Sequence, residues 1–308
     1  MHDFLRLPID ASSHGFHIDQ IIVLMHWLMF FLFAVWGIYF FYTLFRFRAS
    51  RNPKADAVGV RTHASSYLEV AVAIFEGVIL IGFGIPIWSD VVIAYPSEEK
   101  STVVHVIAEQ FAWNVHYSGA DGEFGRRDIG LITAENPIGL DREDPVGKDD
   151  ITTINQLTLP VDTDILVYLT SKDVIHSFGI PLLRVKQDVI PGQRIPVWFR
   201  ATMTVQEIQD QMVKPFSLGS PEIPSLLLNR VSAADYGDFP KGTILTEDVL
   251  QSMKASGVTE VLATSDTPME IACAQLCGLG HYRMRGTVTI LGAEAYQAWL
   301  DEEASYLE

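Results

Sequence analysis

The chain has 308 residues, of which 38 are acidic and 22 basic, so its net charge is −16. This acidic balance argues against nucleic acid as a partner, because nucleic-acid binding needs basic surfaces. Hydrophobic residues make up 48% of the sequence and the mean hydropathy is +0.20. That composition indicates a protein partly in lipid, and the length suffices for an outer domain with membrane anchors.

The first predicted elements are two membrane-spanning helices within residues 19–95. Residues 1–18 are polar and mixed, and they lack the charged start, short apolar core and cleavage site of a signal peptide. Residues 20–45 and 67–92 are each longer than the roughly 20 apolar residues that cross a bilayer as a helix. We therefore expect both runs to remain in the lipid bilayer as a helical hairpin.

The connection between these helices, residues 46–66, sets their orientation. It contains a single acidic residue and five basic ones, namely Arg46, Arg48, Arg51, Lys54 and Arg61. Basic connections of this kind stay on the cytoplasmic side of a membrane. The pattern therefore predicts a two-pass protein with both termini, and the domain that follows the helices, on the outer face.

Residues 96–308 predict an all-β domain. Short apolar runs with strand propensity alternate with Pro and Gly turns, and no strand–helix–strand rhythm is present, which favours a β-sandwich. A closing helix is predicted at 293–303. The predicted strands are 103–117, 152–159, 165–170, 174–180, 194–200, 269–274 and 286–291.

Two long segments exceed the needs of a minimal sandwich. Residues 118–150 are rich in Gly, Asp and Pro and predict a long ordered loop. Residues 204–264 contain two helix-like pieces, Val205–Met212 and Thr246–Ser256, between turn signals. Surface insertions cost little free energy, so mere decoration and a docking surface for a partner both stay open.

The metal chemistry of the chain is concentrated in the segment Cys273-Ala-Gln-Leu-Cys277-Gly-Leu-Gly-His281-Tyr-Arg-Met284, which contains both cysteines of the protein. Two thiolates, an imidazole and a thioether are the donors that soft or borderline copper selects. A disulfide is the alternative for two cysteines so close together, but it leaves the histidine and methionine unexplained. Methionine is also a poor zinc ligand, and the Cys-x-x-Cys-His motif of covalently attached haem is absent.

A second imidazole comes from far upstream. His176 lies in the apolar, strand-like run Asp173–Pro181, where Val174, Ile175 and Phe178 surround it. A histidine among apolar neighbours is explained well by a bound metal. The sequence therefore favours a copper site assembled from His176 and the late cysteine segment.

Together, His176 and the segment Cys273–Met284 resemble the binuclear CuA centre of cytochrome c oxidase subunit 2, the CuA-containing subunit of a bacterial haem–copper oxygen reductase. The resemblance extends over nearly the whole chain and implies a cupredoxin-like sandwich on the periplasmic face of the bacterial inner membrane. It also implies that the thiolates of Cys273 and Cys277 bridge two copper ions, one of which His176 and Met284 would complete.

By the same resemblance, His281 and the backbone carbonyl of Gln275 would complete the other copper. Many relatives carry a glutamate at the position of Gln275, and that side chain helps to hold magnesium or manganese at the boundary with the catalytic subunit. A neutral amide oxygen is a weaker ligand for such hard cations. The substitution therefore counts against the second metal site and leaves the copper role intact.

Four further residues take roles from the resemblance. Gln110-Phe111-Ala-Trp113 is similar to the aromatic segment at which cytochrome c delivers its electron, with Phe111 in place of the first tryptophan. Asp188 is expected to pair with the catalytic subunit. Glu69, in the setting Leu68-Glu69-Val70, resembles the entrance of a proton pathway into that subunit. Core packing is the alternative role for both Phe111 and Trp113.

The predicted outer domain is strongly acidic, with 31 acidic and 16 basic residues from Pro96 to Glu308. A surface of this sign would steer a basic c-type cytochrome in a salt-sensitive way. Ordinary solubility explains the charge equally well. The insertions are similar to those of oxidases that associate with other respiratory complexes, so a respiratory supercomplex is a candidate partner.

These observations predict an electron-entry subunit of cytochrome c oxidase. It would accept electrons from a c-type cytochrome and pass them to haem in subunit 1, where oxygen is reduced and protons are translocated. A quinol oxidase subunit 2 is one alternative, although it would lack the copper ligands. A membrane-anchored copper chaperone of the Sco type is another, with its histidine after the cysteines on a thioredoxin-like fold. A structural anchor with a disulfide is the third.

Overall fold

The computed structural model describes residues 2–54, 58–59, 61–219, 225–265 and 268–307. Residues 55–57 and 60 of the predicted cytoplasmic connection, and 220–224 of the second insertion, lie outside the described residues. The chain divides into two compact units. The first contains His14–Ala94 and the short segment before Pro8, and the second contains Pro8–Ser13 and Tyr95–Glu308.

The first unit is helical. A short helix, α1, spans His2–Leu5, and α2 spans Gly15–Arg46. A continuous helix then runs over Ala64–Val92. Both α2 and this second long helix are long and apolar enough to cross a membrane. Each begins a few residues before the predicted start.

The helix Ala64–Val92 changes its winding in the middle. It consists of α3 (Ala64–Ile79), a π-helical turn at Leu80–Gly84 and α4 (Ile85–Val92). Pro86 follows the π turn directly. Because proline lacks the N–H and its ring meets the carbonyl one turn earlier, a wider turn lets the helix continue past it. Proline inside a helix otherwise kinks or ends it.

The second unit contains two five-stranded sheets. The first sheet has the order β3-β2-β1-β5-β8 and the second has the order β4-β13-β12-β6-β7. The first sheet's strands are β1 Thr102–Glu109, β2 Ala112–Tyr117, β3 Ile151–Ile154, β5 Asp164–Ser171 and β8 Ile195–Arg200. The second sheet's strands are β4 Gln156–Pro160, β6 His176–Ile180, β7 Val185–Val189, β12 Glu270–Cys273 and β13 Arg285–Leu291.

The two sheets share one hydrophobic core, so the predicted sandwich is confirmed. Alternate residues of each strand point to opposite faces. The inner face of the first sheet is apolar at Val104, Val106, Trp113 and Val115, and it meets Phe178, Ile180, Val288 and Ile290 of the second sheet. The closing helix α7 spans Ala293–Ser305.

Two predicted strands are each divided in the structure. The run 103–117 is a hairpin of β1 and β2, in which Glu109 pairs with Ala112. The run 152–159 crosses from β3 in the first sheet to β4 in the second. Asn155 makes this crossing with a positive φ of 58°, a conformation that asparagine tolerates better than most residues. Its side-chain oxygen accepts a hydrogen bond from the Trp113 N–H at 2.9 Å.

The first insertion, residues 118–150, covers the outer face of the first sheet. Phe124 stacks on His105 with ring centroids 3.8 Å apart. His116 is buried, and its Nε2 lies 2.5 Å from Oδ2 of Asp150. Burial lowers the pKa of His116 in spite of this carboxylate. The insertion therefore forms an additional packed layer over the sheet.

The second insertion has its own sheet and core. Helix α5 (Val205–Gln211) leads into it, and α6 spans Glu247–Ala255. Its sheet has the order β10-β11-β9, with strands β9 Lys214–Ser217, β10 Arg230–Ser232 and β11 Glu260–Ser265. The core contains Leu218, Leu227, Leu245, Leu250, Met253, Val261 and Ala263. We call the segment from Lys214 to Ser265 the inserted module. The sequence predicted α5 and α6 but not the sheet of the inserted module.

Candidate metal centre

Three neighbouring strands of the second sheet, β13, β12 and β6, bring the candidate ligands together. β12 ends at Cys273 and β13 begins at Arg285, so the loop between them carries the remaining cysteine, histidine and methionine. β6 begins at His176 and pairs antiparallel with β12, where Phe178 opposes Cys273. The sheet therefore places the upstream histidine beside the late loop.

The donor atoms of this loop converge. The Sγ atoms of Cys273 and Cys277 are 3.8 Å apart, and Nδ1 of His176 is 4.0 Å from Sγ of Cys273. On the other side, Nδ1 of His281 and Sδ of Met284 lie 3.7 and 3.8 Å from Sγ of Cys277. The carbonyl oxygen of Gln275 is 3.2 Å from Sγ of Cys273. All six predicted ligand residues thus lie in one cluster.

These separations fit metal coordination. The ligand atoms of His176, Cys273 and Cys277 all lie within 4.8 Å of one another. A metal–thiolate bond is about 2.3 Å and a metal–imidazole bond about 2.0 Å. An ion can therefore bond both sulfurs at once, since their separation is less than two such bonds. The two cysteines are free thiols, so both sulfurs are available as ligands.

Cys277 lies at the inner side of the cluster. Its side chain is buried, and this burial, with the neighbouring Cys273, raises the pKa of its thiol to about 11. Without metal the sulfur is therefore protonated at neutral pH, and a bound metal must displace that proton. Met284 is also buried. Cys273 and His281 are half-buried, and Gln275 is exposed.

Asp173 orients His176, and sequence reasoning did not identify it. Nε2 of His176 lies 2.9 Å from Oδ1 of Asp173. The same carboxylate accepts hydrogen bonds from the N–H groups of Gln110 and Val174, both at 2.7 Å. With Nε2–H donating to this carboxylate, Nδ1 keeps its lone pair on the side of Cys273. The sequence does place a carboxylate three residues before His176, and this spacing was the signal that could have identified Asp173 as its partner.

We expect Asp173→Asn to weaken copper binding by about 10- to 100-fold, since partners that orient a ligand imidazole have effects of this size. Copper titration of the purified chain measures the change. Asp188→Asn is the matched control, because Asp188 is an exposed carboxylate on β7 opposite Ser177, next to His176. Equal copper affinities in the two variants would contradict the role of Asp173.

The β1–β2 turn packs against the ligand loop. Nε2 of Gln110 donates a hydrogen bond to the carbonyl of Cys277 at 2.5 Å. The ring of Phe111 lies against Gly280, where an added Cβ would be 2.4 Å from Cδ2 of the ring. Gly280 has a φ of −91°, which any residue can adopt. The ring, which provides the three atoms nearest to the added Cβ, therefore requires the lack of a side chain at Gly280.

We expect Gly280→Ala to displace the loop and weaken copper binding about tenfold, because overpacking costs about 1–3 kcal/mol. The double variant Gly280→Ala with Phe111→Ala removes the obstructing ring, so it should recover much of the lost affinity. Copper titration of both variants and of Phe111→Ala alone completes the comparison. Wild-type affinity in Gly280→Ala would refute the contact.

The residues predicted to act in electron entry and proton uptake lie in different surroundings. Trp113 is 0% exposed, and its ring lies edge-on to the rings of His176 and Phe178 at 6.2 and 5.8 Å. Phe111 is half-buried beside the loop. Glu69 lies on α3 in the helical unit and is exposed in the isolated chain. Their roles in electron entry and proton uptake stay predictions.

The chain is similar to known proteins along most of its length. Residues 102–206 match a family model described as cytochrome C oxidase subunit II, periplasmic domain. The "Alternative cytochrome c oxidase subunit 2" of Bradyrhizobium diazoefficiens is 26% identical over 297 residues, which cover 96% of this chain and 83% of that protein. The "Cytochrome c oxidase subunit 2" of Cereibacter sphaeroides is 25% identical over 85% of this chain and 67% of that protein.

One solved structure is also similar. It is the crystal structure of the periplasmic domain of subunit II of cytochrome oxidase from Bradyrhizobium japonicum. It is 17% identical, with a TM-score of 0.36, and the alignment covers 70% of this chain and 100% of that chain.

Proposed function

We propose, from the family-model match, the two relatives and the ligand geometry, that the chain is a member of the cytochrome c oxidase subunit II family and the electron-entry subunit of a bacterial oxidase. It would accept electrons from a c-type cytochrome and pass them to subunit 1. The observation that carries the proposal is the cluster of two free thiols, two imidazoles and a thioether, in which each other donor lies within 4.0 Å of one of the two sulfurs.

Each proposed ligand residue has a distinct task. The thiolates of Cys273 and Cys277 would be the central ligands of two copper ions, and His176, Met284, His281 and the Gln275 carbonyl would complete the ligand set. When bound, a thiolate-bridged copper pair supplies a one-electron carrier that changes its geometry little on reduction. Asp173 would hold His176 in place, and the buried side of the loop, at Cys277 and Met284, would exclude water.

The helical unit supports a membrane anchor. We infer that the two long helices cross the bacterial inner membrane, with the basic connection in the cytoplasm and the sandwich in the periplasm. Glu69 would then begin a proton pathway on the cytoplasmic side. Asp188 and Gln275 are exposed beside the metal loop, which suits contacts with subunit 1.

The surface of the ligand loop suits a redox partner. Three apolar side chains project into solvent beside the proposed ligands, namely Leu276, Leu279 and Tyr282, and Leu279 is 97% exposed. Apolar contacts of this kind, on a domain with an excess of acidic residues, match a basic c-type cytochrome with an exposed haem edge. Phe111 and Trp113 would then lie on the route of the electron. A supercomplex partner for the inserted module is a further proposal.

Mixing the copper-loaded full chain with reduced c-type cytochrome in a stopped-flow instrument tests this function. We expect fast cytochrome oxidation, a rate that falls as ionic strength rises, and a slower reaction for Leu279→Glu at unchanged copper content. Ile129→Glu is the control, because Ile129 is an equally exposed apolar residue on the first insertion. No electron transfer from any c-type cytochrome would refute the proposal.

Copper stoichiometry separates this proposal from its alternatives. A chaperone of the Sco type would hold one copper on a thioredoxin-like fold, whereas the described residues form a sandwich with separate layers of strands. Two coppers per chain with a mixed-valence electron paramagnetic resonance spectrum favour the oxidase subunit. One copper that transfers to another apo-protein would favour the chaperone.

A further inference from the structure

A cleft lies on the outer face of the first sheet, where the first insertion meets the loop before β8. Its volume is about 310 Å³. His105 of β1 and Tyr168 of β5 line it from the sheet, Arg127 lines it from the insertion, and Gly192 and Arg194 line it from the loop. It contains none of the proposed copper ligands.

The cleft is basic within an acidic domain. Among the residues that the structure describes, no acidic side chain lines the cleft. Arg194 has one acidic neighbour, Glu98, at 3.8 Å, and the same carboxylate accepts a hydrogen bond from the hydroxyl of Tyr168. Arg127 makes no side-chain hydrogen bond or ion pair within the described part of the chain, although its side chain is accessible to solvent. One guanidinium charge is therefore uncompensated.

The two guanidinium groups also repel each other. The pKa of Arg127 is lowered by partial burial and by the charge of Arg194. The pKa of His105 is lowered to about 3 by burial, with His116, Arg127 and Arg194 adding to the effect. His105 is therefore neutral at physiological pH and adds no third positive charge to the cleft. A bound anion would relieve the repulsion between the two arginines.

Arg194 is held in one place before any ligand binds. Its guanidinium lies 3.5 Å from the ring centroid of Tyr168, which is a cation–π stack. Its Nη2 is 3.4 Å from Nε2 of His105, which can accept a hydrogen bond because the ring is neutral. A guanidinium stacked on a ring keeps other N–H donors at its edge for an oxyanion. Such preorganisation lowers the entropy cost of binding.

We propose that Arg127 and Arg194 form a binding site for a phosphate-type oxyanion in this cleft, separate from the metal centre. The two positive charges match a doubly charged phosphate, and the N–H donors of the guanidinium groups match its oxygens. The cleft is large enough for one phosphate group. That group can be free phosphate or the terminal phosphate of a lipid headgroup, since both offer the same oxygens.

Isothermal titration of inorganic phosphate into the full-length chain in detergent, at low ionic strength, tests the site. We expect saturable binding of one phosphate per chain. Arg127→Gln should weaken it at least tenfold, because a charge-assisted pair of hydrogen bonds is lost. Arg126→Gln is the matched control, since this neighbouring arginine pairs with Asp141 and lines no part of the cleft. Its phosphate affinity should stay unchanged.

Thermal unfolding without phosphate distinguishes binding from a structural role. Arg127→Gln should melt no lower than the wild type, because it removes a repulsion and breaks no pair. A lower melting temperature would mean that Arg127 supports the fold, and the proposal would fall. It would also fall if phosphate did not saturate, or if Arg126→Gln and Arg127→Gln weakened binding equally.

Bilayers of defined composition identify the source of the phosphate. The chain is reconstituted in vesicles of phosphatidylcholine alone or with phosphatidic acid, and the phosphate titration is repeated. Loss of phosphate binding only with phosphatidic acid, and only while Arg127 is present, supports the site with a lipid ligand. Unchanged binding in both vesicles supports the site with free phosphate.

Discussion

Cys277→Ser is expected to abolish stable copper binding, with affinity falling by on the order of a thousandfold or more. Sγ of Cys277 lies within 3.8 Å of three other donor atoms, those of Cys273, His281 and Met284. A serine hydroxyl is a hard, protonated oxygen that soft copper does not select. Metal analysis of the chain after copper loading, together with its electron paramagnetic resonance spectrum, measures the loss.

The control for this prediction is Ser177→Ala. Ser177 is buried next to His176 in β6, and its hydroxyl makes no hydrogen bond within the described residues. This variant also removes one polar atom near the site, but it leaves every proposed ligand in place. It should keep the full copper content. A wild-type spectrum in Cys277→Ser would rule out a thiolate bridge at this position.

Trp113→Ala is expected to lower the free energy of unfolding of the sandwich more than substitution of either Phe111 or Tyr282, the other aromatic residues beside the metal centre. Its side chain is 0% exposed, and truncation of a buried tryptophan costs about 3–5 kcal/mol. For a domain of this size each kcal/mol lowers the melting temperature by about 2–4 °C. Circular dichroism of the metal-free chain should therefore show a decrease of about 6–20 °C.

A solvent-exposed aromatic residue on the same site provides the comparison. Tyr282 is 77% exposed on the metal loop, so Tyr282→Ala should change the free energy of unfolding by no more than about 0.5 kcal/mol. Trp113→Ala should also weaken copper binding, because its ring contacts that of His176. A melting temperature of Trp113→Ala within about 1 °C of the wild type would contradict the core role. That difference is about half the smallest shift expected for a change of one kcal/mol.

The chemistry of the metal loop could be predicted because it depends on residue types at short spacing. Four donors within twelve residues identify a metal without any knowledge of the fold. Their orienting partners could not be predicted in this way. Asp173 was visible in the sequence, yet only the hydrogen bonds to His176 and Gln110 show which way its carboxylate points.

The inserted module was missed for a different reason. Its strands have three to six residues, and β9 contains a proline, so none has a clear alternating pattern. Their pairing depends on contacts between residues far apart in sequence. The division of 103–117 and of 152–159 has the same origin, because strand propensity continues through a turn or a crossing between sheets. The helices α2 and Ala64–Val92 could be predicted because long apolar runs are recognisable from composition alone.

The inserted module also bears on the chain entropy of assembling the metal centre. His176 and Cys273 are 97 residues apart in sequence, which would mean the closure of a long loop. The first and last strands of the module, however, are neighbours in one sheet, and Lys214 pairs with Ala263. Once the module has folded, its two ends are about as close together as the ends of a tight hairpin. The loop-closure entropy of bringing His176 and Cys273 together is then that of a much shorter chain.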